Sequence, residues 1–321
     1  MVQYLIRRIL WAVMLFLAIT VFVYVIFFII PTNPAQLACG QRATDACIRN
    51  ESRYLRLDRP VFVQYGSFLY RLVVHQDLGR SYTNRQSVDQ TVMNAAPVTA
   101  SLVIGGAVLW MLIALPIGIL SALRPRSLLD RTSMVFVLIG VSAHPVWIGL
   151  VLAYLVGFRL GWTPITGYCD FFHPATDCGG PTQWAYHMLL PWITFAVLFA
   201  ALYVRMIRAN VMEASGEDYV RTARAKGAPE WLVLRSHILR NALLPVVTLL
   251  GMDIGVALGG ANFTETVFAL PGLGQTALTA VTTYDLPTVQ GVVVFATIAI
   301  IVFNLVVDLL YVAIDPRIRL A

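Results

Sequence analysis

Six long apolar runs alternate with polar connections along the chain: Ile9–Ile30, Val98–Leu123, Met134–Phe158, His187–Met206, Asn241–Phe263 and Val289–Val312. Each reaches the roughly 20 residues a helix needs to cross bilayer hydrocarbon. Backbone groups in lipid must be satisfied within the segment, so each run predicts a transmembrane helix. The pattern predicts an all-α, polytopic integral membrane protein with six transmembrane helices. Composition agrees: of 321 residues, 58% are hydrophobic and 12% charged, with a mean hydropathy of +0.74.

The first run follows Arg7 and Arg8. Its apolar stretch is too long for a signal-peptide core, and no A-x-A site follows closely. Leu37-Ala38-Cys39-Gly40 lies too far beyond the run to serve as a lipoprotein cleavage site, so an uncleaved anchor helix is expected. Basic residues then orient the spans. Arg7 and Arg8 precede span one, and Arg124, Arg126 and Arg131 follow span two. Arg205, Arg208, Arg221, Arg224, Lys226, Arg235 and Arg240 flank or fill the loop after span four, and Arg317 and Arg319 follow span six. Six crossings put these segments on one face, which predicts a multi-pass protein of the cell membrane with both termini in the cytoplasm. Arg205, Arg208 and Arg240, near membrane ends, are expected to meet lipid head groups. No nucleic-acid partner is expected.

The four cysteines fall in the two outer segments of this topology, where disulfides persist. Cys39–Cys47 and Cys169–Cys178 are the predicted pairs, although four cysteines permit three pairings. Metal binding, aided by His173, is the competing reading; the spacings fit no C-x-x-C pattern, so neither a metal nor a cofactor is expected. His144 and His187, beside Pro145 and near outer span ends, are read as structural.

The densest charge cluster, Asp218–Glu230, stands between two apolar runs. Residues 213–226 contain no proline and predict a helix running on from span four, stopped by Gly227 at a C′ position. Pro229 suits the first turn of a second helix, and Trp231, Leu232, Leu234, Ile238 and Leu239 supply its apolar stripe. Pro245 is expected to kink the next run. The segment of residues 209–240 thus reads as helix, glycine turn, helix, a shape suited to a partner's groove.

Particular residues here resemble a family. Glu213-Ala214-Ser215, Gly227 and Leu244-Pro245 are similar to the "EAA" loop of permease subunits in binding-protein-dependent ABC importers. Asp218–Gly227, Leu239–Val247, Glu265–Gly274, Asn304–Arg317 and the opening Tyr4–Arg8 resemble the B-type permeases of dipeptide and oligopeptide uptake. The resemblance covers the whole chain and implies the type I ABC importer permease fold. It divides the chain into an anchor helix plus extracytoplasmic segment (1–96) and a five-helix core (97–321). It implies that Glu213, Ala214, Ser215, Asp218, Tyr219, Arg221, Ala223, Lys226, Gly227 and Ala228 form the segment that couples to an ATPase. Glu213 would anchor its polar contacts, and residues 228–236 would dock. The implied partners are a C-type permease, two ATP-binding subunits, an extracytoplasmic substrate-binding protein and a peptide cargo. Systems similar to this one also carry nickel chelates, haem or glutathione.

The chain itself cannot supply the motor. A P-loop needs lysine between glycine and serine or threonine, and the sole lysine, Lys226, follows Ala225. Neither HExxH nor GxSxG occurs, so an intramembrane enzyme is not indicated. A stand-alone secondary transporter or channel is the alternative, but no inverted repeat is evident.

Inside the spans, Asp253 is the notable charge, because ionisable residues in hydrocarbon face a cavity or a partner. It reads either as bonded to a neighbouring helix or as a pathway residue. Asn262 and Glu265 are further pathway candidates. Gly251, Gly255, Gly259 and Gly260 predict close helix packing. Asp308 reads as structurally paired. Residues 270–287 predict a short helix at the outer interface, where Glu265 and Asp285 either contact cargo or a docked binding protein, or solvate the loop. Residues 31–96 predict short helices that dock the binding protein.

Overall fold

The computed structural model describes residues 2–26, 34–39, 43–54, 56–171 and 178–314, without the side chains of residues 2–5, 34, 37, 54, 308 and 310–314. His173, Arg317, Arg319 and the Asp308 side chain therefore lie outside the described residues, as do residues 27–30 of the first run.

The described residues build a helical bundle without a named strand. Four helices are long and apolar enough to cross a membrane: α1 (Val2–Tyr24), α5 (Val88–Leu123), α8 (Pro181–Gly216) and α15 (Leu286–Ile314). Two bent pairs bring the number to six if each is counted as one span. In the first, α6 (Leu128–Ser142) turns by 105° into α7 (Pro145–Leu152), which continues through the π-turns Ala153–Arg159. The sequence pattern had implied one continuous span here. Pro145 removes a backbone donor at the break, and His144 caps the new helix, its Nδ1 accepting from the Val146 N–H at 3.3 Å. In the second pair, residues 230–242 meet α12 (Leu244–Ala257) at 45°, with Pro245 in the first turn of α12. Span five therefore ends at Ala257, and Asn262 begins a separate helix, α13 (Asn262–Val267).

α5 and α8, each 36 residues long, form the central pair. Trp110 of α5 is fully buried and stacks on Phe199 of α8 at 4.6 Å between ring centres. A side chain at Gly118 would meet the Ile207 Cβ at 2.8 Å, so glycine there sets the approach of the two backbones. α12 packs on α15 in the same way: Gly251 lies against Val307, Gly255 against Ile300 and Phe303, and Gly259 against Ala296. Residues 88–96, read from the sequence as the tail of the outer segment, are the first turns of α5.

Outside the bundle stand α2 (Pro34–Cys39), α3 (Asp45–Tyr54) and α4 (Val61–Val74). Cys39 is bonded to Cys47, joining α2 to α3, and Cys169 is bonded to Cys178 in the second outer segment. α4 packs against α1 through Tyr24, Tyr65 and Phe68. The Tyr24 hydroxyl donates to Gln64 at 2.9 Å, and Thr20 Oγ1 lies 3.0 Å from the Tyr65 hydroxyl.

Candidate coupling segment and translocation cavity

α8 carries the chain out of the apolar zone as far as Gly216. The helix does not simply run on to Gly227. Glu217 adopts an extended conformation (ψ 148°) and caps α9 (Asp218–Ala225), so the knob begins with its own corner. Gly227 then ends α9 with φ +77°. The Ala228 N–H donates to the Ala223 carbonyl at 3.2 Å and the Gly227 N–H to the Arg224 carbonyl at 2.9 Å, the two bonds of a Schellman turn. No neighbour lies within 4 Å of a Cβ built at Gly227, so the requirement for glycine is conformational. Across the turn, Arg224 Nε and Nη2 donate to the two Glu230 oxygens at 2.9 and 3.2 Å. Pro229 is the cap of α10 (Glu230–Val233), just ahead of the first turn, and the helix continues through the π-turns Leu234–Leu239 into α11 (Arg240–Ala242).

The residues predicted for this segment divide by burial. Ala214 and Ala223 are buried, together with Val220, Val233 and Ile238, and fasten the knob to the bundle. Glu213, Asp218, Tyr219, Arg221, Lys226 and Gly227 are exposed, with Ser215 and Ala228 half-buried. Among the described residues, the polar contact across the turn is the Arg224–Glu230 fork, and Glu213 stands exposed near the end of α8. The apolar stripe expected on the second helix divides: Trp231 and Leu232 are 68% and 46% exposed, whereas Ile238, with Val233, is buried against the bundle.

Above the knob lies a cluster that sequence reading missed. Arg208, expected at lipid head groups, donates from Nε and Nη2 to the Asp130 carboxylate at 2.6 and 3.0 Å. Asp130 also accepts from Ser121 Oγ and, at 2.9 Å, from the Arg126 N–H, while its own N–H donates to the Ser127 cap at 3.2 Å. The Asp130 side chain is 7% exposed. This array ties the α5–α6 turn to α8 shortly before the knob. The signal was a carboxylate in a cap box, Ser127-Leu128-Leu129-Asp130, and nothing in the spacing linked it to a residue 78 positions away.

Farther along the bundle, Asp253 is bonded to a neighbouring helix, one of its two expected readings, and also borders a cavity. Tyr203 of α8 donates its hydroxyl to Asp253 Oδ2 at 2.6 Å. The same carboxylate, half-buried, lines a cavity of about 390 Å³ with Asn262, Thr194, Phe199, Phe263 and Pro145. Volumes of this order are usual for small-molecule sites. Glu265 does not line it. Among the described residues it is fully buried, accepting from Thr99 Oγ1 at 2.7 Å and from the Gln275 N–H at 2.9 Å. Thr99 Oγ1 in turn accepts from the Leu273 N–H at 2.8 Å. Gly272 lies against the Glu265 carboxylate, and a Cβ on Gly274 would meet the Asn262 Cα at 2.8 Å. The Glu265–Gly274 motif is therefore a closed corner built on a buried carboxylate, with α14 (Leu273–Thr282) leaving from it. Asp285 is buried likewise and accepts from Ser81 Oγ, the Tyr82 N–H at 2.8 Å and Thr288 Oγ1 at 2.8 Å. Neither acid solvates the loop. His187 is closer to the cysteines than its spacing suggested: its Nδ1 lies 3.1 Å from Cys169 Sγ and 2.9 Å from the Gln183 carbonyl.

Two family models match this arrangement. Residues 114–320 match the inner membrane component of binding-protein-dependent transport systems, and residues 1–103 match the N-terminal region of such membrane components. The chain belongs to this family. Two relatives from Escherichia coli K12 align along almost the whole chain. One, a probable D,D-dipeptide transport system permease, is 36% identical and covers 96% of this chain and 95% of its own length. The other, a dipeptide transport system permease, is 35% identical and covers 99% of each. Among solved structures, the methionine ABC transporter MetNI in an inward-facing conformation matches with a TM-score of 0.55 and 19% identity, covering 70% of this chain and 97% of that chain. This likeness bears on the fold, which is that of a type I ABC importer permease. The family consists of permease subunits, which do not themselves catalyse, and its members are multi-pass proteins of the inner membrane.

Proposed function

We propose that the chain is one translocation subunit of an ATP-driven importer of dipeptides or oligopeptides. Family membership supports the permease role, and the names of the full-length relatives support the peptide cargo. The single observation that carries the coupling role is the knob beyond α8: two helices locked by a Schellman turn, presenting Tyr219, Trp231 and Leu232 to solvent. An exposed Trp–Leu–Tyr face ringed by charge suits the groove of a partner. One such knob per chain calls for a second, C-type permease and two ATP-binding subunits, with a substrate-binding protein on the outer side. In this orientation both termini are cytoplasmic.

In this scheme nucleotide-driven closure of the ATPases pushes the knob, α8 passes the displacement upward, and the cavity at Asp253 and Asn262 alternates between the two sides of the membrane. Asp253 meets a peptide's ammonium group while Tyr203 fixes its position. The decisive experiment places a cysteine at Lys226 in the assembled importer and cross-links it to the ATPase chain, with and without ATP. A nucleotide-dependent cross-link is the expected result. Uptake by the lone chain in liposomes, without any ATPase, would instead establish the secondary-transporter alternative.

A further inference from the structure

The amphipathic helix α4 and the groove beside it take no part in the scheme above. α4 buries Phe68 and Leu72 and turns the opposite side outward, with Phe62 89%, Tyr70 58%, Val73 61% and Val74 56% exposed. A helix in water would not present so much apolar surface. Its position explains this. Phe16, Thr20 and Tyr24 of α1 all belong to the contact with α4, and Val294 of α15 packs into the same cluster. Phe16 to Tyr24 spans about 12 Å of helix rise, and these residues lie inside the first apolar run. α4 therefore lies beside the outer part of a membrane-crossing helix, at the depth of the outer leaflet.

Next to this face is a groove of about 910 Å³ between the end of α3 and α4. Arg53, Arg56, Arg71 and His75 line it, with Val63 and Tyr70 as its apolar wall. The one acid in the lining, Asp77, accepts the Gly79 N–H at 2.8 Å. Arg56 Nη1 donates to Ser67 Oγ at 2.7 Å, which holds the guanidinium over α4. A basic pocket joined to an apolar strip at leaflet depth matches one ligand chemistry, a phosphate head group carrying acyl chains.

We infer that the α3–α4 groove binds an anionic phospholipid of the outer leaflet. The phosphate sits among Arg53, Arg56 and Arg71, and the acyl chains run along Tyr70, Val73 and Val74. The bound lipid seats the outer helices on the bundle, so the site is separate from the cargo pathway.

The test uses the full chain in nanodiscs of phosphatidylcholine containing a minor share of phosphatidylglycerol. A photoreactive residue replaces Val73, and native mass spectrometry reads retained lipid. Phosphatidylglycerol is expected to be retained over phosphatidylcholine and to form the adduct at position 73. Changing Arg53, Arg56 and Arg71 together to Gln should reduce retention by about tenfold or more, from the attraction of basic residues to anionic lipid, whereas Lys at all three should largely keep it. Inorganic phosphate should not displace the lipid. Equal retention of the two lipids, unchanged retention in the Gln variant, or displacement by inorganic phosphate would overturn the inference. So would a protein adduct at position 73 in the assembled importer, which would assign this face to a partner permease or to the binding protein. The adduct readout stays decisive even if the Gln variant misfolds.

Discussion

Asp130 and Arg208 offer the sharpest test of how the knob is held. Arg208→Ala removes a two-point fork of 2.6 and 3.0 Å to a carboxylate that is 7% exposed. Breaking a buried pair costs about 3–5 kcal/mol. Arg208 is itself 25% exposed, and Asp130 keeps its bonds from Ser121 and the Arg126 N–H, so about 2–3 kcal/mol is expected, at or below the lower end of that range. Asp130→Ala loses these bonds as well as the negative charge in the first turn of α6, and should cost about 3–5 kcal/mol. The two losses share one interaction, so the double variant should fall short of their sum by about 2 kcal/mol. Unfolding by SDS titration in mixed micelles measures all three. Additivity within about 0.5 kcal/mol would refute the pairing. An Arg208→Ala cost below about 0.5 kcal/mol would return Arg208 to the role of a surface residue. In proteoliposomes with the full importer, Arg208→Ala should also lower transport per ATP hydrolysed.

The other predictions concern single residues. Gly227→Ala forces a Cβ into a left-handed turn at about 1–2 kcal/mol; ATPase stimulation by the permease should fall, while Gly227→Asn, which tolerates this region, should fall less. Asp253→Asn should change uptake while assembly, read by co-purification of the ATPase, stays intact; unchanged uptake would remove Asp253 from the pathway. Glu265→Ala should lower stability by about 2–3 kcal/mol, because two buried hydrogen bonds are lost and their donors are left unpaired, and should lower assembly yield; a change in cargo preference alone, at full stability, would contradict its structural role.

The apolar runs made the crossings legible because hydrophobic length is a local property. Gly227 and Pro245 were legible for the same reason: each acts on its own backbone, and the turn and the bend stand at those residues. What escaped was long-range or directional. No spacing rule connects Arg208 to Asp130, or Glu265 to Thr99 across 166 positions. Hydropathy counts residues without registering direction, so it merged α6 and α7 into one span despite the 105° turn. It likewise carried span five past Ala257 into Asn262. Asp253 was visible as an anomalous charge, but no spacing rule connects it to the Tyr203 hydroxyl 50 positions away.

α8 is a single helix of 36 residues, about 54 Å long, and its contacts with Asp130 and Gly118 fall at Arg208 and Ile207. Treated as a fulcrum, this point leaves a short arm of about 12 Å to Gly216 and a long arm of about 40 Å to Pro181. A lateral shift of about 1 Å at the inner tip then sweeps the outer tip by about 3 Å, less whatever flexure Pro191 absorbs. On the proposed coupling, such a threefold mechanical gain means that the stroke from the ATPase need only be small, and that stiffness between Ile207 and Gly216 matters more than reach.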